Sequence, residues 1–176
     1  MRWLLLALVG LAACSSGGAA PGAERAVPDR LAVASPAFAA GAAIPARFTC
    51  RGADRSPPLR WSGVPSGTVE VALVVDDPDA PGGTFVHWLL TGVAPATTAL
   101  AEGAPPPGAR QLRNSAGTAA YAGPCPPSGP PHRYRFTVYA LSRHPGVAAG
   151  ASPGAAVAAI QAAASARGRL VGTFGR

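Results

Sequence analysis

Two short stretches hold most of the side chains that could do chemistry. The first is Asp76-Asp77-Pro78-Asp79-Ala80-Pro81 with His87-Trp88 just after it; the second runs from Gly123-Pro124-Cys125-Pro126-Pro127 to His132-Arg133-Tyr134. The acids stand out because the chain has eight Asp and Glu against fifteen basic residues, all of them Arg, for a net charge of +7. Carboxylates near imidazoles can ligate a metal, run acid–base chemistry, or orient a histidine and favour its charged form. A metal reading lacks a recurring ligand spacing such as His-x-x-x-His, and for hydrolysis no activated nucleophile is visible.

The elements around these stretches say how they would be placed. Val71-Ala72-Leu73-Val74-Val75 is a short apolar run ending in β-branched residues, the pattern of a strand buried on both faces. Pro78 and Pro81 stop regular pairing and push the preceding residues toward extended backbone. Gly82-Gly83 turns the chain, and Thr84 to Leu90 reads as the next strand, which returns His87 and Trp88 toward the acids. The prolines and glycines of 123–131 make a stiff loop that delivers His132 and Tyr134 to the head of another strand, with Tyr134, Phe136, Val138 and Ala140 on one face.

Further runs at Ala43 to Thr49, Leu59 to Trp61, Val69 to Val75 and Arg169 to Phe174, punctuated by Pro and Gly, predict an all-β, antiparallel sandwich. One helix is expected near the C-terminus: Ser152 as cap, Pro153 in the first turn, Val157, Ile160 and Ala164 on one side, and Gly168 as the stop. Residues 101–119, with Pro105-Pro106-Pro107-Gly108, read as an irregular loop.

The N-terminus predicts export. Met1-Arg2-Trp3, the apolar Leu4 to Leu11 and the small residues before Cys14 form a leader over 1–13 that is too short to span a membrane stably. Leu11-Ala12-Ala13-Cys14 resembles a bacterial lipobox, so Cys14 is the expected lipidation site, with a plain secretory signal as the competing reading. Residues 14–30 are a Gly/Ser/Ala/Pro tether, and 31–176 are long enough for one domain. This predicts a membrane-anchored protein facing the periplasm or cell exterior. The arginines are dispersed with no basic run, which argues against a nucleic-acid partner. Setting Cys14 aside leaves Cys50 and Cys125, expected to form a disulfide in an oxidising compartment, with two buried free thiols as the alternative.

Taken together, Asp77-Pro78-Asp79-Ala80-Pro81, His87-Trp88, Gly123-Pro124-x-Pro126-Pro127 and His132-Arg133-Tyr134 resemble the two signature regions of the phosphatidylethanolamine-binding protein family, in its bacterial Raf kinase inhibitor-like branch. Phe48-Thr49-Cys50, Ser56-Pro57-Pro58-Leu59, Trp61-Ser62-Gly63-Val64-Pro65 and Leu170 to Arg176 extend the likeness. The resemblance implies a β-sandwich with a small anion pocket lined by Asp77, Asp79, Pro81, His87, Pro126, Pro127, His132 and Tyr134. It implies phosphate-bearing ligands such as phospholipid headgroups and does not imply a metal; with no nucleophile visible, the chain reads as a binding protein with no cofactor and no turnover.

Donors for the anion would be His87, His132, the Tyr134 hydroxyl and loop N–H groups, so binding should weaken as pH rises through the histidine range. Asp77 or Asp79 would hold an imidazole, although Asp79 could equally serve only its turn. Asp76 reads as a turn cap, His144 as solvated and Trp61 as core. Relatives usually carry an aromatic where this chain has Ala116 in Asn114-Ser115-Ala116-Gly117. The alternatives are an inhibitor or regulator of a protease or other protein partner acting through the pocket rim, and a weak hydrolase.

Overall fold

The computed structural model describes residues 26–175. The leader, Cys14 and most of the tether lie outside the described residues. The described chain is mainly β, built from β1 (Ala32–Ala34), β2 (Leu59–Ser62), β3 (Glu70–Asp77), β4 (Phe85–Val93), β5 (Ala99–Leu100), β6 (Arg110–Gln111), β7 (His132–Leu141), α1 (Pro153–Ala163) and β8 (Ala164–Phe174). They form an antiparallel sandwich of a three-stranded sheet, β1-β2-β5, and a five-stranded sheet, β6-β4-β3-β7-β8.

Period-two alternation divides the larger sheet into two buried faces. Val71, Leu73 and Val75 of β3 and Tyr134, Phe136, Val138 and Ala140 of β7 pack with Leu59 and Trp61 of the smaller sheet. Ala72, Val74, Tyr139 and Leu141 point the other way, onto Ala156, Ile160 and Ala163 of α1. β3 is therefore buried along its whole length, as its unbroken apolar run predicts. Each large side chain buried in this way contributes about 1.5–3 kcal/mol.

Three expectations are corrected here. Residues 43–49 do not form a strand: Ala43 makes a single bridge to Thr173, and a 3₁₀ turn over Ala46–Phe48 follows Pro45 and buries Phe48. The helix does start on Ser152, whose side chain accepts from the Ala155 N–H, but it ends at Ala163 rather than reaching Gly168. From Ala164 the backbone is extended and pairs with β7 from Leu141↔Ala164 to His132↔Phe174, so ladder bonds outweigh the helical preference of an Ala-rich run. Gly168 serves close packing instead, because a Cβ there would run into the Leu31 backbone. His144 is exposed but not merely solvated, since its Nδ1 lies 2.6 Å from Oε2 of the buried Glu70.

Candidate functional site

A β-bulge sets the site. β3 and β4 pair Val75↔Trp88 and then Asp76↔Val86, leaving His87 as the extra residue of β4. Two residues then oppose one, and His87 and Trp88 both come to the sandwich side of the sheet instead of alternating. The carbonyl that the bulge frees on His87 is taken up by the Ala122 N–H at 3.1 Å and by Nδ2 of the buried Asn114 at 3.2 Å. Asn114 also donates to the Ala120 carbonyl and accepts from the Thr118 N–H, so one amide shapes the 114–122 loop around the histidine. The Ser115 hydroxyl accepts from the Val86 N–H, and the Ser115 N–H donates to the Val86 carbonyl.

Next to this bulge lies a cavity of about 350 Å³. β3 gives it Asp77, β4 gives Phe85 and His87, and β7 gives Tyr134; Ala80 and Pro81, Ala116, Ala122 and Gly123, and Pro126 and Pro127 close it from the loops. Cys50, Cys125 and Asp54 complete the wall. Cys50 and Cys125 form a disulfide with their Cα atoms 5.4 Å apart. It clamps the 49–58 loop to the proline-rich loop, helped by Cys50 N–H to the Pro124 carbonyl and Tyr121 hydroxyl to the Phe48 carbonyl.

Asp54 has a left-handed backbone with φ of 52°, held because its Oδ1 accepts from the Gly123 N–H at 2.8 Å. Gly123 has to be glycine, since a Cβ there would collide with Asp54 and the Phe48 carbonyl.

The electrostatics differ from those the sequence suggests. Nδ1 of His87 lies 2.6 Å from the Ala122 carbonyl, so it carries the proton and Nε2 of the neutral ring is an acceptor. Burial pushes His87 below its ordinary value, outweighing the Ala122 contact and the Asp77 charge, which favours the neutral ring over a cationic anion donor. Its faces are packed by Phe85, centroids 4.7 Å apart, and by Tyr134 at 5.3 Å edge-on. Tyr134 is fully buried and its hydroxyl has no hydrogen-bond partner among the described residues. Burial, with the Asp77 and Asp79 charges, raises its pKa, so it stays a phenol donor. An orphaned buried hydroxyl on a cavity wall is a group waiting for an acceptor.

Of the eight sequence-predicted ligand residues, Asp77, Pro81, His87, Pro126, Pro127 and Tyr134 line the cavity, while Asp79 and His132 do not. Asp79 is turned to Arg133, accepting from its backbone N–H and from both Nε and Nη2, which holds the carboxyl well below the usual range. His132 stands behind Asp77, its Nδ1 2.8 Å from Oδ2. Oδ1 of Asp77 accepts from the Asp79 N–H, so Asp77 both shapes the turn and orients His132.

Asp76, one residue earlier, points to the opposite face. It pairs with Arg135 through two bonds of 2.6 and 2.8 Å in a groove beside α1 that Arg113 and Ser115 also line, so it is more than a turn cap. Asp54, Phe85, Ala116, Ala122 and Gly123 were not signalled as wall residues, save that Ala116 stands where relatives usually carry an aromatic. Gly150-Ala151-Ser152-Pro153-Gly154 spells Gly-x-Ser-x-Gly, but a loop over 142–151 separates Ser152 from β7, so it caps a helix and does not sit on the tight strand-to-helix turn of a nucleophile elbow. Among the described residues no group of three or more His, Cys, Asp or Glu is placed to hold a metal ion.

The profile of the phosphatidylethanolamine-binding protein family matches residues 34–175. The chain belongs to that family. Among phosphatidylethanolamine-binding protein relatives of known structure, Escherichia coli YbcL superposes with a TM-score of 0.79 at 32% identity, and covers 84% of this chain and 99% of its own. CT736 of Chlamydia trachomatis gives a TM-score of 0.76 at 35% identity with the same coverage. LppC of Mycobacterium tuberculosis, which is named as a lipoprotein, is 52% identical over 145 residues, 82% of this chain and 72% of its own. A UPF0098 protein of Methanothermobacter thermautotrophicus is 41% identical over 138 residues, 76% of this chain and 91% of its own.

Proposed function

We propose that this protein is an exported, lipid-anchored binding protein whose cavity takes a small oxyanion-bearing group, such as a phosphate ester or phospholipid headgroup, and releases it unchanged. The observation that carries this reading is the Tyr134 hydroxyl: fully buried, unpartnered and on the cavity wall, it costs stability unless something outside the chain accepts from it. A cavity of about 350 Å³ holds far more than that one contact needs, in keeping with a ligand that has an organic part. Family membership supports a binding role. Anchoring is supported by the lipobox-like sequence before Cys14 and by the lipoprotein name of LppC.

Turnover would need a nucleophile beside the histidines, and the two wall cysteines are joined to each other. Calorimetric titration with phosphoethanolamine, phosphate and acetate tests the reading. It predicts saturable binding of the phosphorus ligands and their recovery intact. Absence of binding for all three overturns it, and release of product from the ester shows an enzyme instead.

A further inference from the structure

The side chains of the cavity wall are poor in donors and rich in acceptors. From β3 it receives the Asp77 carboxylate, whose oxygens already serve Asp79 N–H and His132. From β4 it receives the neutral His87 ring, with its one proton committed to the Ala122 carbonyl. From the 49–58 loop it receives Asp54, which accepts from Gly123 through one oxygen and has the other to spare. β7 supplies the Tyr134 hydroxyl, a donor without an acceptor.

Backbone donors offset this only in part, through loop amides such as those of Ala80 and Ala116. Pro81, Pro126 and Pro127 have no N–H. The amides of Cys50, Ala122 and Gly123 are spent on Pro124, His87 and Asp54. Among the described residues no arginine lines the cavity; Arg133 is held by Asp79, and Arg135 by Asp76 on the opposite face of the sheet.

A doubly charged phosphate ester would bring only acceptors into a wall that already has two carboxylates. Its singly protonated form brings one hydroxyl donor for His87 Nε2 or a carboxylate, and oxygens to accept from Tyr134. We infer that the cavity takes its ligand as a singly charged oxyacid that still carries a proton, so that binding is gated by the ligand's own titration. This rests on the oxyanion reading above and narrows it.

Calorimetric titrations from about pH 5 to about pH 9 with methyl phosphate, methylphosphonate, methyl sulfate and ethylammonium test it without any variant. Methyl phosphate loses its second proton near pH 6, methylphosphonate at higher pH, and methyl sulfate has none to lose. The expected result is affinity for each phosphorus ligand falling about tenfold per pH unit above that ligand's own second pKa, with the midpoint moving up from phosphate to phosphonate. Methyl sulfate, with the same charge but no proton, should bind at least about tenfold more weakly than methyl phosphate at pH 5, with no such slope.

One shared midpoint for both phosphorus ligands would mean that a protein group gates binding, and the inference falls while the oxyanion reading stands. Equal affinity for sulfate and phosphate at every pH, or tighter binding of ethylammonium, would overturn it as well. If no oxyanion binds at any pH, the oxyanion reading fails and takes this inference with it.

Discussion

Oδ2 of Asp77 lies 2.8 Å from Nδ1 of His132, and the other oxygen of the same buried carboxylate accepts from the N–H of Asp79. One side chain thus ties the end of β3 to the head of β7 and fixes the turn between its own strand and β4.

Asp77→Asn keeps the shape and removes the charge from this junction. We predict a loss of about 1–3 kcal/mol in stability, read as a lower urea midpoint at unchanged slope. Asp79→Asn, on an exposed ion pair with Arg133, should leave the midpoint within experimental error. Equal losses in the two variants would contradict the separate roles.

Tyr134→Phe separates binding from stability. Removing an unpartnered buried hydroxyl costs the free protein nothing and can stabilise it by up to about 1–3 kcal/mol. The same change should weaken a phosphate ester about tenfold in titration calorimetry, the equivalent of one lost hydrogen bond. A melting temperature that falls in Tyr134→Phe would show that the hydroxyl already has a partner.

Most of the strands that build the pocket were legible in the sequence. The β-branched run of β3, the alternation of β7 and the Gly82-Gly83 turn are local patterns, and so are the Ser152-Pro153 helix start and the motif pairing that brings Asp77, His87 and Tyr134 together. The rest depends on partners distant in sequence. Nothing in Ala164-Ser165-Ala166-Arg167 distinguishes more helix from the first half of β8; the β7 ladder decides it. β1, β5 and β6 are only two or three residues long and have no pattern of their own. Asp54 sits in an Arg-rich loop that reads as surface, and only the fold shows its left-handed backbone and its bond to Gly123. The neutral state of His87 follows from a bulge and a burial that no spacing reveals.

The buried His87 makes stability depend on pH. Its folded pKa lies below the ordinary value of 6.5, so the unfolded chain binds more protons and stability falls as pH drops below about 6.5 toward the folded value. His87→Asn keeps a donor for the Ala122 carbonyl but cannot titrate. Chemical denaturation between about pH 7 and about pH 5 should show a shallower slope in this variant. Identical slopes would mean that His87 is not held neutral.

Breaking the disulfide should loosen the pocket as well as the fold. A crosslink between Cys50 and Cys125, separated by 75 residues, stabilises by about 4 kcal/mol on the chain-entropy account. The Cys50→Ser, Cys125→Ser double variant is expected to lose about that much in urea denaturation, and to bind ligand more weakly because both residues form the wall. Unchanged affinity in the folded double variant would show that the clamp serves stability alone.

The central claim is that the ligand sits against Tyr134 at the end of the larger sheet. Heteronuclear NMR titration with methyl phosphate at about pH 5 tests it most directly. The account predicts saturable shifts at Tyr134, Phe85, Ala116 and Gly123. Saturable shifts confined to the groove of Arg113 and Arg135 on the opposite face, or no shifts at all, would contradict it.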